Sequence, residues 1–262
     1  MPVNCLGRRT EMDHATGTSS ASRYATASII VALLLLVGCG RNQGKQTFEL
    51  LKAEHEIIQN MRSELKECSL PKKPTAPDAS AKLTRVQRQN AEKSYHDEMG
   101  RYFLAVMQRY EQGEKIVNEA ERQISKLDTA GVGDDVVRLT QDRERLCGDT
   151  VQYFVEMRAL TGSKRSQWGQ KDSGEALEFF LDVVGTAVQP EIGGGALLKT
   201  LSRAAERQDA RKLEIQEDYA ALRKAVETWE RHRGVVVTKQ SELVTSYRAR
   251  YPKYDWNSVL SE

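Results

Sequence analysis

The chain has 262 residues, with 39 basic and 37 acidic side chains for a net charge of +2. That balance removes the electrostatic case for nucleic acid, which calls for a one-sided basic surface. Charged residues make up 29% of the chain and apolar ones 39%, prolines are few beyond residue 77 and β-branched runs are rare. Such a composition predicts long, solvent-bathed helices rather than a compact mixed fold.

From the N-terminus, the first feature is an uncharged stretch from Tyr24 to Gly40, preceded by Arg23 and followed by Arg41-Asn42-Gln43-Gly44-Lys45. Its apolar core, Ala27 to Gly38, has about a dozen residues, within the 7–15 of a signal h-region and short of the ~20 that span a bilayer. A basic flank, an apolar core and a small-residue site before a cysteine are the secretory-signal order. The four residues Leu36-Val37-Gly38-Cys39 resemble the lipobox of bacterial lipoproteins. The resemblance implies cleavage before Cys39, a lipid on its thiol and attachment to a membrane of the cell envelope. Gly40, in place of Asp after the cysteine, implies the outer membrane, with the protein facing the periplasm. A plain cleaved signal and an uncleaved membrane helix are the alternatives. The resemblance stops at the cysteine and says nothing of residues 48–262.

On this reading residues 1–38 are a signal, 39–46 a lipidated polar leader and 47–262 one elongated helical bundle. Cleavage removes three Arg and two acids, which leaves 36 basic and 35 acidic residues. Cys5 leaves with the signal and Cys39 carries lipid, so Cys68 and Cys147 remain. An even pair in an oxidising envelope is a candidate disulfide. Closing a loop of about 80 residues would stabilise by roughly 4.5 kcal/mol in the chain-entropy model. The alternative is two reduced cysteines inside helix cores.

A first helix is expected over about 47–68, with Leu50, Leu51, Ile57, Ile58, Met61 and Leu65 apolar and Cys68 continuing the Met61 face. Pro71-Lys72-Lys73-Pro74-Thr75-Ala76-Pro77 is then a stiff, extended connector. A second helix should run from an N-cap at Ser80 to Asp128. Met99, Phe103, Val106, Tyr110, Gly113, Val117, Ala120, Ile124 and Leu127 fall at alternating steps of four and three, the pattern of a supercoiled seam.

Thr129 to Gly133 breaks the seam, and Asp134 or Asp135 is a candidate cap for a third helix reaching about Leu160. Val136, Leu139, Leu146, Tyr153, Met157 and Leu160 form one stripe of it. Val137, Cys147, Val151 and Phe154 form a second, so this helix can face two neighbours. After the polar interruption Gly162–Gly174, a short apolar helix is expected through Val188, ended by Gln189-Pro190 and Gly193-Gly194-Gly195. The last helix is expected from near Ala196 to Arg250. Its heptad from Leu201 to Tyr247 is interrupted by Gln208, Lys212, Arg233 and Gln240. Both long helices would extend about 70 Å. The expected fold is all-α, an elongated antiparallel bundle or coiled coil of about five helices.

Chemistry is sparse. His55, His96 and His232 fall on separate helices without HExxH or Cys/His zinc spacing. The acid pairs Asp97-Glu98, Asp134-Asp135 and Glu217-Asp218 splay apart on a helix and suit capping and solvation. Gly193 to Thr200 lacks the GxxxxGK[ST] of a phosphate loop, and no GxSxG elbow occurs. No catalytic residue, metal, cofactor or small-molecule substrate is inferred, and the chain reads as non-enzymatic.

The expected role is a lipid-anchored scaffold, spacer or partner-binding stalk, contacting the membrane through its lipid and a protein partner or a second copy through its helices. The competing role is a membrane-active protein that inserts the apolar hairpin 177–201, loosely resembling all-helical pore-forming toxins. Candidate partner or membrane contacts are Phe180, Val184, Ile192 and Leu197 in that hairpin, with Tyr254 and Trp256 in the C-terminal tail. Fold-back of the tail over the bundle end is the other reading of those aromatics.

Overall fold

A computed structural model describes residues 20–68, 70–78, 81–168, 180–185, 195–201 and 213–259, with their side chains except at 20–41, 167 and 213–218. Among these residues every regular element is helical. The long helices are α1 Ser20–Glu67, α2 Arg85–Ile124, α3 Asp134–Gln167 and α6 Leu213–Arg250. Residues 180–185 (α4) and 195–201 (α5) are short helical segments, and a 3-10 turn covers Trp256–Val259. Residues Gly44–Glu262 form one compact unit and Met1–Gln43 another. The contacts that build the bundle lie within the former.

Helix boundaries follow local capping chemistry. The second helix starts at Arg85, later than an N-cap at Ser80 would place it, because Thr84 has a partner three residues on. The Gln87 amide N donates to Thr84 Oγ1 at 3.3 Å while the Thr84 amide N donates to Gln87 Oε1 at 3.0 Å, a reciprocal capping box. The third helix is capped by the Gly133 backbone rather than by a carboxylate side chain. Asp134 and Asp135 occupy its first turn, where negative charge suits the helix dipole. It continues to Gln167, beyond the expected end near Leu160, since Gly162 costs a helix only about 1 kcal/mol. In the connector, Pro71, Pro74 and Pro77 are half-buried while Lys72, Lys73, Thr75 and Ala76 are exposed. That three-residue alternation is what a polyproline II strand laid on a surface produces.

Contacts between the long helices fix an up-down-up-down order. Tyr110 meets Phe154, and Tyr95 meets Trp168, so α2 and α3 run antiparallel. Trp229 meets Thr150 and Tyr247 meets Asp135, so α3 and α6 do too. Glu54 of α1 lies against Arg143, and Leu65 of α1 against Arg109, which sets α1 parallel to α3 and antiparallel to α2. The expected all-α antiparallel bundle is the fold observed. Its seam on α2 is buried from Met99 to Ile124 as the heptad requires, and α3 packs on both α2 and α6 through its two stripes. Residues 202–212 fall outside the described residues, so the expected single helix 196–250 is seen only as α5 and α6.

The core divides in two. A distal cluster joins Met61, Leu65, Phe103, Phe154, Phe180 and Val226 among others. A basal cluster joins Leu50, Leu51, Val136, Leu139, Val244 and Trp256. Glu54, between Leu51 and Ile57 in sequence, and Arg143, between Leu139 and Cys147, lie where one cluster gives way to the other.

Candidate functional site

Two features stand out from the packing: a polar layer across the middle of the bundle and an aromatic cap at its basal end. The layer is centred on Glu54 and Arg143. On α1, residues 47, 51, 54, 58, 61, 65 and 68 keep one heptad register, and on α3 residues 136, 139, 143, 146, 150, 153 and 157 do the same. Each charge therefore occupies a core position, and the two meet as an ion pair with side chains 0% and 2% exposed. Burial pushes the Arg143 guanidinium down to about 10. About two turns further along α3, Trp229 Nε1 donates to Thr150 Oγ1 at 2.9 Å, and His232 Nδ1 pairs with Asp149. Lys239 pairs with Asp142, the residue before Arg143. These pairs tie α3 to α1 and α6 and so fix helix register.

Further toward the distal end, Arg109 Nη2 donates to the Leu65 carbonyl at 2.8 Å, in the last turn of α1. A cation suits the carbonyl end of a helix. Gly113 makes room for it, since a Cβ there would lie 3.2 Å from Arg109 Nη1 and 3.0 Å from the Phe154 ring.

The basal cap is built by residues 251–259 folding back from α6. Phe48 stacks on Tyr254 at 5.1 Å and meets Trp256 edge-on at 5.4 Å, while Tyr247 packs on Trp256 at 5.6 Å. Trp256 Nε1 donates to the Tyr251 carbonyl at 2.9 Å. Gln240, read from sequence as a heptad interruption, is buried and donates Nε2 to the Val259 carbonyl at 3.2 Å. Gly44 lets α1 approach: a Cβ would lie 2.6 Å from the Tyr251 ring. Gly131, at φ 78°, turns the α2–α3 loop against Gln46.

Several residues singled out from sequence are placed otherwise than expected. Cys68 and Cys147 are both buried and form no disulfide, so the expected bridge is not seen. The reason is register. Glu54 opposite Arg143 sets the offset between α1 and α3, and at that offset the two cysteines are displaced by about ten residues, or ~15 Å along the axis. A disulfide tolerates Cα separations of only about 4.4–6.8 Å. Alkylation without reductant should modify neither thiol in folded protein and both after unfolding. An intact Cys68–Cys147 peptide in mass spectrometry would contradict this.

Phe180, Val184 and Leu197 lie in the distal core and Trp256 in the basal core, each at most 1% exposed. Any contact they make with a partner or a membrane requires the bundle to open. Tyr254 is half-buried in the cap, so fold-back is the arrangement of the tail. Ile192 and the Cys39 side chain lie outside the described residues. His96 stacks on Trp168 at 5.4 Å. Among the described residues no group of three His, Cys, Asp or Glu gathers as metal ligands, and no helix is long and apolar enough to cross a membrane.

Burial also holds Tyr102, Tyr110, Tyr153 and Tyr247 above the usual tyrosine value of about 10. Above that pH the unfolded chain binds fewer protons than the folded one, so stability falls as pH rises. The contribution is whole below pH ~10 and is lost toward the raised folded values. Urea midpoints measured across this range should decline, and ultraviolet titration should show the fully buried Tyr110 and Tyr153 phenols ionising only with unfolding. No protein-family model matches the chain, and no curated protein or solved structure matches it.

Proposed function

We propose that this is a lipid-anchored cell-envelope protein whose helical bundle acts as a scaffold, spacer or partner-binding stalk. The observation that carries the reading is the spacing of anchor and bundle: the lipobox-like Leu36-Val37-Gly38-Cys39 ends five residues before the compact unit begins at Gly44. Lipid at Cys39 localises the chain, since two or more acyl chains give stable membrane attachment. At 1.5 Å per residue, the 40 residues of α2 give a reach of about 60 Å. Polar groups on the outer helix faces, such as the Lys115–Glu111 and Arg122–Glu119 pairs, keep that reach soluble and offer surface for a partner.

Metabolic labelling with palmitate in a bacterial host tests the anchor. The wild-type chain should incorporate label and yield a mature N-terminus at Cys39, and Cys39→Ser should do neither. An unlabelled wild-type chain would remove the anchor. Crosslinking in the native envelope, followed by identification of the captured protein, tests the stalk; recovery of only nonspecific neighbours would count against it.

A further inference from the structure

We propose that the capped basal end of the bundle is a second contact with the bilayer, one that seats the protein upright on the headgroups; this rests on lipidation of Cys39. The first argument is tether length. Four residues separate Cys39 from Gly44, and the five residue-to-residue steps span at most ~18 Å even fully extended. Gly44 itself lies against Tyr251. The cap is therefore held within a short distance of the headgroup layer, which is about 5–7 Å deep on each side of the hydrocarbon.

The second argument is what this end exposes. Arg250, Pro252 and Lys253 are exposed, Tyr251 and Tyr254 are half-buried, and Lys253 Nζ lies 4.6 Å above the Tyr254 ring. Tyrosine rings with Lys and Arg beside them are the side chains enriched at the membrane–water boundary, where an apolar body and a polar tip are both satisfied. Glu49, Asp128, Asp134 and Asp255 are exposed at the same end. The local charge is thus mixed, and the contact is with the phosphates of any phospholipid, not with anionic lipid in particular.

The test uses the full, lipidated chain in phosphatidylcholine vesicles that carry a nitroxide on a fraction of their headgroups. A fluorophore is placed at Lys253→Cys in one sample and at Ser166→Cys in another, with labelling at the intended residue checked by peptide mass spectrometry. Ser166 is exposed near the far end of α3, roughly 48 Å from Asp134 along the helix. The label at 253 should be quenched severalfold more than the label at 166. Equal quenching at both sites, in protein that floats with the vesicles, would overturn the seated cap and leave the anchor standing. Protein that neither floats nor carries lipid on Cys39 would overturn both.

Discussion

Replacing Glu54 by Ala is expected to destabilise the bundle by roughly 3–5 kcal/mol, because it leaves the Arg143 guanidinium buried without its counter-charge. For a unit of this size that is a fall in Tm of roughly 6–20 °C. The pair itself is poorly compensated: among the described residues, Glu54 Oε1 and Arg143 Nε and Nη2 have no hydrogen-bond partner. Desolvation of two charges with some of their polar atoms unsatisfied offsets much of their attraction. The double replacement Glu54→Leu with Arg143→Met should therefore recover nearly all of the loss or exceed wild-type stability. Urea unfolding followed by circular dichroism reads both. A Glu54→Ala midpoint equal to wild type would show that Arg143 reaches water, and would remove the polar layer as a structural device.

The same pair bears on specificity. Two apolar clusters joined end to end could slide by a heptad with little change in contact area, because a seam repeats every seven residues. A single charged position on each of two helices makes every other register bury an unpaired ion. The double apolar variant should then show its change in uniqueness rather than in stability, as broadened amide resonances.

Much of this was readable in the chain. The α2 heptad is a pure apolar repeat, and each of its residues from Met99 to Ile124 is buried. The two stripes on α3 likewise anticipated packing on two sides. Glu54 and Arg143 went unread because a stripe drawn through apolar residues alone skips the positions that charge occupies. The signal was present all the same, since 47, 51, 54, 58 and 61 on α1 and 136, 139, 143, 146 and 150 on α3 are unbroken registers. Opposite charges at core positions of two helices are a cue to look for a pair. The disulfide failed for a different reason: cysteine count carries compartment but not register, and register is a tertiary quantity set here by Glu54 and Arg143. The boundary at Thr84 moved because a capping partner outweighs composition at a helix end, and the one at Gln167 because a single glycine costs a helix too little to end it.

The tail poses the remaining choice, between an aromatic anchor offered to a partner and a cap closed on its own bundle. Trp256→Ala separates them. In the cap, Trp256 is 1% exposed, contacts the rings of Phe48, Tyr247 and Tyr254, and donates to the Tyr251 carbonyl. Removing it should cost about 3–5 kcal/mol, the range for truncating a buried aromatic to Ala. The loss should appear first at the basal end, as protease cleavage after Lys253 or Tyr254 under conditions where wild type is resistant. Trp256→Phe keeps most of the ring packing and loses the indole donor, so its cost should be nearer 1 kcal/mol. A residue held out for a partner would make no such difference, and an Ala variant as stable and as protease-resistant as wild type would return the tail to that role. Because Gln240 is tied to Val259 and Gly44 to Tyr251, the cap joins the first and last helices of the unit. Loss of Trp256 should therefore loosen α1 as well, and amide exchange near Phe48 should rise together with exchange near Tyr247.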